Sequence, residues 1–224
     1  MKIDRKTMAK LFDLSVLAPN TTYQDVVHLC NVAKELGCEV VCVNPCHARL
    51  AYEEVKNTSI KVCSVIAFPF GSTTPEIKEA EAKQAVKDGA QELDMVMNIS
   101  ALLSEDYELV EKDIRTVVAA ASDTIVKVIL ETCLLTDDQK KKACEVATRA
   151  GARFVKTCTG VTCNLSTPED VRLMKKNIDP NMEVKASAGI RDYETAVALI
   201  QAGATRLATA EQYVRQILAQ CEEG

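Results

Sequence analysis

A helix stop runs directly into an apolar strand in Gly151-Ala152-Arg153-Phe154-Val155-Lys156. The same arrangement recurs in Gly37-Cys38-Glu39-Val40-Val41-Cys42, Gly89-Ala90-Gln91-Glu92-Leu93-Asp94 and Gly203-Ala204-Thr205-Arg206-Leu207-Ala208. Glycine commonly ends helices because it adopts the left-handed conformation without strain. If the four units are equivalent, Asp94 and Lys156 stand at matching heights on related strands. Charged side chains are unfavourable inside apolar strands, and a catalytic role is the best explanation for these two.

Strands and helices alternate along the whole chain. Eight apolar runs are predicted as strands, at residues 12–16, 40–44, 61–68, 92–98, 126–131, 154–157, 184–187 and 206–209. Helical stretches lie between them. Both Ser72-Thr73-Thr74-Pro75-Glu76 and Ser166-Thr167-Pro168-Glu169 predict a capped helix start with proline in the first turn.

This alternation fits a closed (β/α)8 barrel, typically of about 250 residues, or an open doubly wound sheet. The regular repeat favours closure, and no glycine-rich dinucleotide turn follows the first strand. We therefore predict an α/β fold, a (β/α)8 TIM barrel, in a single domain over residues 1–224. Alternate strands of such a barrel contribute one interior layer of side chains. Cys42, Asp94, Lys156 and Ala208 are then predicted to form one layer near the C-terminal mouth, where barrel enzymes carry their chemistry.

The composition excludes several classes of protein. The net charge is −5 and no basic stripe is present, which argues against a nucleic-acid partner. No apolar run reaches the roughly 18 residues of a membrane span, and the start does not lead into a signal peptide. Several of the ten cysteines fall within apolar patterns, which predicts reduced thiols and a cytoplasmic location. Cys42, Cys46 and His47 lack a second ligand pair at zinc-type spacing, so we expect no metal.

Four lysines interrupt the apolar strands. Lys61 and Lys127 come at the beginning of their strands, toward the N-terminal face, where we expect a buried stem and a solvated head. Lys156 and Lys185 lie toward the mouth, and adjacent strands six and seven bring their amines close together.

Mutual repulsion and burial both lower the pKa of a lysine from its usual value of about 10.4. A free amine attacks carbonyl groups to form a Schiff base, and Asp94 is placed to relay protons. The alternative is a buried ion pair between Asp94 and Lys156 that only holds the barrel together.

Several motifs together resemble the 2-deoxy-D-ribose-5-phosphate aldolases. They are Val155-Lys156-Thr157-Cys158-Thr159-Gly160, Leu93-Asp94-Met95-Val96-Met97-Asn98, Val184-Lys185-Ala186-Ser187, Val41-Cys42-Val43-Asn44-Pro45, Glu131-Thr132-Cys133-Leu134-Leu135 and Glu169-Asp170-Val171-Arg172-Leu173-Met174. They fall in the same order as in the family, and the likeness covers about residues 11–209. The resemblance implies a (β/α)8 class I aldolase that needs no metal or other cofactor and acts on a small aldehyde or sugar phosphate.

The resemblance also implies roles for individual residues. Lys156 matches the Schiff-base lysine, Lys185 the second lysine that lowers its pKa, and Asp94 the acid of the proton relay. The residues expected to contact substrate are Asp13, Cys42, Thr159, Gly160 and Gly189. For Asp13 a structural hydrogen-bonded carboxylate is the alternative, and for Cys42 a packing role is the alternative.

The chain departs from the family where phosphate is expected. Barrels usually bind phosphate in the loops after strands seven and eight, where this family has paired glycines and a Gly-x-Ser-Ser turn. This chain has Ala188-Gly189-Ile190-Arg191 and Ala208-Thr209-Ala210-Glu211. Glu211 either repels phosphate or is a first-turn acid that complements the helix dipole and points outward.

Three functions therefore remain open. The first is reversible cleavage of 2-deoxyribose 5-phosphate or a related 3-hydroxyaldehyde to acetaldehyde and a second aldehyde. The second is the same chemistry retuned to unphosphorylated substrates, and the third is a non-catalytic barrel that binds an aldehyde or a partner. The oligomeric state also stays open, with a homo-oligomer as one option.

Overall fold

Eight parallel strands pair in sequence order, and β8 pairs with β1 to close the barrel. The protein is represented by a computed structural model that describes residues 3–162 and 165–222. The strands are β1 (Phe12–Val16), β2 (Val40–Val43), β3 (Lys61–Ile66), β4 (Glu92–Val96), β5 (Ile125–Ile129), β6 (Phe154–Lys156), β7 (Glu183–Ser187) and β8 (Ala204–Thr209). The predicted (β/α)8 barrel is confirmed.

Helices follow every strand and surround the barrel. They are α1 (Arg5–Lys10), α2 (Tyr23–Leu36), α3 (Ala48–Val55), α4 (Pro75–Lys87), α5 (Ile99–Leu103), α6 (Tyr107–Ala120), α7 (Asp137–Arg149), α8 (Pro168–Lys176), α9 (Tyr193–Gln201) and α10 (Glu211–Leu218). Both predicted helix starts are confirmed in position, since α4 and α8 begin at Pro75 and Pro168. The Thr167 side chain caps α8 by accepting from the Asp170 N–H group, whereas the Thr74 side chain makes no capping hydrogen bond. Within the part of the chain that is described, no helix is both long and apolar enough to cross a bilayer.

All eight predicted strands are present; the predicted bounds of β1 are confirmed, and the other strands differ by one or two residues at one or both ends. The predictions for β3 and β5 extended too far at the C-terminal end. There Ala67 (φ 52°) and Glu131 (φ 55°) turn into the left-handed region, which ends an extended strand. The hydropathy pattern of the sequence carries no information about backbone angles, so it could not show that the strands end before these residues.

The apolar side chains form two separate cores. A large outer core between strands and helices contains, for example, Leu14, Val41 and Val43. A small inner cluster holds Val40, Cys42, Cys63 and Val65. Side chains two residues apart along a strand point to the same side, so Val40 and Cys42 face the interior while Val41 and Val43 face the helices. Most of the remaining interior is charged.

The cysteines are mostly free thiols, as predicted: Cys30, Cys38, Cys42, Cys46, Cys63, Cys144, Cys158 and Cys221. The prediction is wrong for Cys133, which is disulfide-bonded. Cys133 lies in the turn Thr132–Leu134 after β5, at the mouth of the barrel. The spacing of cysteines along the chain does not reveal which thiols come into contact.

Candidate active site

Asp94 is the centre of a buried ionic cluster inside the barrel. Its Oδ2 atom accepts hydrogen bonds from Lys156 Nζ at 2.7 Å and from Lys185 Nζ at 2.8 Å. Its Oδ1 atom accepts from Lys127 Nζ at 2.9 Å and from Cys63 Sγ at 3.2 Å. The structure therefore brings together the predicted acid on β4 and the two predicted mouth lysines, which lie on the neighbouring strands β6 and β7 as expected.

Asp13, on β1, joins the cluster from the other side of Lys185. Its Oδ2 atom accepts a short hydrogen bond from Lys185 Nζ, and its Oδ1 atom accepts one from Arg206 Nη1 at 2.8 Å. Cys42 is also close, because its Sγ, the Sγ of Cys63 and a carboxylate oxygen of Asp94 all lie within 4.8 Å of one another. Both Asp13 and Cys42 thus adjoin the ionic cluster.

Three further charged residues belong to this cluster and were missed as site residues: Lys127, Glu92 and Arg206. Lys127 Nζ is 2.6 Å from Glu92 Oε2, and Arg206 Nη2 is 3.5 Å from Glu92 Oε1. The expected solvated head is confirmed for Lys61, whose side chain is 47 % exposed, but wrong for Lys127, which is completely buried. A signal was available: Glu92 precedes Asp94 by two residues and Arg206 precedes Ala208 by two, so both face inward.

The cluster contains one more positive than negative group. Its cations are Lys127, Lys156, Lys185 and Arg206, and its carboxylates are Asp13, Glu92 and Asp94. Burying an unbalanced charge is costly. A cluster that becomes neutral when one amine loses its proton suits a site that needs a nucleophilic lysine.

The pKa shifts in the cluster correct one prediction. Burial alone lowers the pKa of Lys185, but the carboxylates of Asp13 and Asp94 outweigh it and raise that pKa above its usual range. Burial alone raises the pKa of Asp94, but Lys127, Lys156 and Lys185 hold it well below its usual range. Lys185 is therefore a cation, and the predicted lowering of its pKa is wrong because two carboxylates face it instead of one.

A cleft of about 370 Å³ opens at the C-terminal mouth directly above the cluster. Thr159, Gly160 and Gly189, which are predicted to contact substrate, line it. Ser187 and Ala208 form part of its floor, two residues beyond Lys185 and Arg206 on their strands. Among the described residues of the lining, Arg191 carries the only charge.

The loops after β7 and β8 both depart from the family pattern, but their residues lie in different positions relative to the cleft. Glu211 does not line the cleft; its carboxylate contacts His28 Nε2 at 2.9 Å and Arg215 Nε at 2.8 Å. This placement favours the outward-pointing alternative for Glu211. Ala188 does line the cleft and has φ 80°, a left-handed conformation that glycine adopts without strain.

Cys42, Cys63 and Asp94 also form a group with ligand atoms close enough for a metal ion. Three ammonium groups already surround the carboxylate of Asp94. Their charge opposes a cation at this position, so the arrangement favours hydrogen bonding to lysines over metal ligation.

Comparisons with known proteins agree with this geometry. Residues 3–211 match the model of the DeoC/LacD family of aldolases. The chain is 51 % identical over 203 residues to a deoxyribose-phosphate aldolase of Caldanaerobacter subterraneus subsp. tengcongensis, covering 89 % of this chain and 88 % of that protein. It is 50 % identical over 203 residues to one from Geobacillus sp. (strain WCH70), covering 90 % and 91 %. The tetrameric deoxyribose phosphate aldolase of Aeropyrum pernix superimposes with a TM-score of 0.88 at 32 % identity, over 96 % of this chain and 91 % of that one. With a family model that spans nearly its whole length and a barrel whose buried lysines meet at one carboxylate, the chain belongs to the DeoC/LacD family of aldolases.

Proposed function

We propose that this aldolase cleaves 2-deoxyribose 5-phosphate reversibly to acetaldehyde and glyceraldehyde 3-phosphate. The observation that carries the proposal is the buried arrangement in which Lys156 Nζ and Lys185 Nζ both contact Asp94 Oδ2. One amine serves as the nucleophile, and the second amine and the carboxylate between them move protons to and from the substrate.

The reaction begins when the Lys156 amine attacks the C1 aldehyde and loses water to form a protonated Schiff base. Removal of the proton from the 3-hydroxyl group breaks the C2–C3 bond, and the bonding electrons pass to the Schiff-base nitrogen. Glyceraldehyde 3-phosphate leaves, and an enamine stays on Lys156. Protonation at C2 and hydrolysis then release acetaldehyde and restore the amine. We assign the proton transfers to Asp94 and Lys185, through water where the substrate is out of reach.

Asp13 and Cys42 have supporting roles in this proposal. Asp13 holds the Lys185 cation against Asp94 and so fixes its position. Cys42 fills the interior beside Cys63. Above them, we assign contacts with the sugar and its terminal group to Thr159, Gly160 and Gly189, because they line the cleft at the mouth of the barrel.

Unphosphorylated deoxyribose is the second candidate substrate. Ala188, Ala208 and Ala210 stand in the lining where the family has glycines and a serine, which narrows the approach of a phosphate and removes a donor. Glu211 is already paired with His28 and Arg215, so its charge adds little repulsion. These observations favour retained phosphate binding with reduced affinity.

The test compares kcat/KM for cleavage of 2-deoxyribose 5-phosphate and of 2-deoxyribose. We expect the phosphorylated sugar to be preferred, and equal or reversed values would favour the second candidate. Borohydride reduction in the presence of acetaldehyde should trap an adduct on the wild-type protein and on the control Lys61→Met, and none on Lys156→Met. Absence of an adduct on the wild type would contradict aldolase activity and favour a non-catalytic binding protein.

We propose further that the chain forms a homo-oligomer, because the Aeropyrum pernix relative is tetrameric. Light scattering on the purified protein tests this, and a monomeric mass at micromolar concentration would contradict it. A cytoplasmic location and the absence of a nucleic-acid partner stay predictions from the sequence.

A further inference from the structure

Glu131 has an unusual combination of burial, charge and backbone conformation. It lies two residues beyond the end of β5, is completely buried, and has φ 55° and ψ 60°. Residues with a Cβ avoid this left-handed region because of steric strain, and glutamate lacks the short polar side chain that helps Asn or Asp adopt it. Such strain persists only where the surrounding structure imposes it, and it concentrates at functional sites.

The residues on both sides of Glu131 are tied to the strand that carries Lys156. The Leu130 N–H group donates to the Lys156 carbonyl at 2.9 Å, and the Thr132 N–H group donates to the Thr157 carbonyl at 3.1 Å. The turn at Glu131 is thus held against the end of β6. The left-handed conformation directs the glutamate side chain across that end instead of outward.

The carboxylate of Glu131 reaches the loop that follows β6. The Thr159 N–H group donates to both of its oxygens, at 3.3 and 3.2 Å. The Thr159 hydroxyl in turn accepts from the Val161 N–H group at 3.1 Å. Thr159, Gly160 and Val161 all line the cleft above the ionic cluster. Glu131 itself is absent from that lining, so it acts on the wall of the cleft from behind.

The neighbours of the Glu131 carboxyl group are consistent with a hydrogen-bond acceptor. Burial raises its pKa, while the Thr159 donors and the nearby charge of Lys156 oppose that shift. The hydrogen bond to a backbone amide is the interaction that a glutamine reproduces and an alanine does not.

We propose that Glu131 is a positioning residue that fixes the cleft wall at residues 159–161 and thereby sets the affinity for the sugar substrate, while the chemistry at Lys156 proceeds without it. This inference rests on the proposed function for its kinetic consequence. Its structural part, the anchoring of the loop, stands independently of any substrate.

Three variants separate the possible contributions of Glu131. Glu131→Ala removes the carboxylate and keeps the backbone strain, Glu131→Gly removes both, and Glu131→Gln keeps a carbonyl oxygen as acceptor. For Ala and Gly we expect KM for 2-deoxyribose 5-phosphate to rise by about tenfold or more, the size of one lost hydrogen bond to a charged group. Their kcat should stay within about twofold of wild type, since a uniform loss of binding changes KM alone. In Glu131→Gln the KM should stay near the wild-type value, because the glutamine carbonyl can still accept the hydrogen bond.

Amide hydrogen exchange at Thr159 and Val161 supplies a readout that needs no activity. Exchange should accelerate in Glu131→Ala and Glu131→Gly and stay slow in Glu131→Gln. Wild-type KM and unchanged exchange in Glu131→Ala would overturn the proposal, as would a Gln variant impaired as strongly as Ala. If the wild type cleaves no sugar, the proposed function fails, and the exchange measurement still decides whether Glu131 anchors the loop.

Discussion

Lys127 pairs with Asp94 Oδ1 at 2.9 Å and with Glu92 Oε2 at 2.6 Å, and all three side chains are completely buried. Replacing Lys127 by Met removes one of the three cations around Asp94 and leaves Glu92 with only its longer contacts to Arg206 at 3.5 Å and Lys61 at 3.8 Å. Removing one partner of a buried ion pair typically costs about 3–5 kcal/mol, because the remaining charge is uncompensated. We expect urea unfolding of Lys127→Met to show a loss of that size.

The matched control for this prediction is Lys61→Met. Lys61 also contacts Glu92, at 3.8 Å, but its side chain is half exposed. Exposed ion pairs contribute only about 0–1 kcal/mol, so the control should unfold nearly as the wild type does. Equal losses in the two variants would show that burial does not distinguish the two lysines.

Ala188 carries backbone strain at the mouth that glycine would relieve. A left-handed conformation costs a residue with a Cβ about 1–2 kcal/mol, and glycine loses about 0.5–1 kcal/mol more entropy on folding. Ala188→Gly should therefore raise the free energy of unfolding by about 0.5–1 kcal/mol. Ala186, on β7, has no positive φ, so Ala186→Gly should lower the free energy of unfolding. If both variants destabilise the protein to the same extent, the strain at Ala188 is not significant.

At the scale of elements, α4 and α6 are joined by a buried ion pair at the end of β4. Lys78 Nζ contacts Asp113 Oδ2 at 2.6 Å and donates to the Val96 carbonyl at 2.8 Å. Asp113 Oδ2 also accepts from the Asn98 N–H group at 3.1 Å. The pair thus fixes the turn that follows the strand carrying Asp94.

A double-mutant cycle measures this connection. Lys78→Met and Asp113→Leu should each cost about 3–5 kcal/mol, and the double variant should cost clearly less than their sum, because no charge is left unpaired. The exposed pair Lys83 and Glu79 on α4 serves as the control, with an expected coupling of about 0.5 kcal/mol or less. Additive losses for the buried pair would mean that the two helices are stabilised independently. Unfolding by urea supplies all the free energies.

At the scale of the whole molecule, the barrel follows from the sequence more directly than the pairing of its interior charges does. Each strand and its helix stop are local features, so eight local patterns suffice for the fold. The contacts between charged side chains depend on the strand register around the closed barrel. In that register Asp94 is paired with Val65 on β3 and with Lys127 on β5. The sequence alone therefore indicated that Asp94, Lys156 and Lys185 share one site, but not that Lys127 joins them or that a second carboxylate raises the pKa of Lys185.

The interior charges predict how stability depends on pH. The pKa of Asp13 and that of Asp94 are lowered from 3.8, so the stability they contribute is present above about pH 4 and is lost as pH falls further. The pKa of Lys127 and that of Lys185 are raised from 10.5, so their contribution is complete below that pH and is lost as pH rises beyond it. We expect the free energy of unfolding in urea to stay nearly constant from about pH 5 to 9 and to fall on both sides. In Asp13→Asn the free energy of unfolding should decrease less at acidic pH than it does in the wild type, even though the variant is less stable at neutral pH. A fall that is unchanged in this variant would show that Asp13 does not contribute to the acid sensitivity.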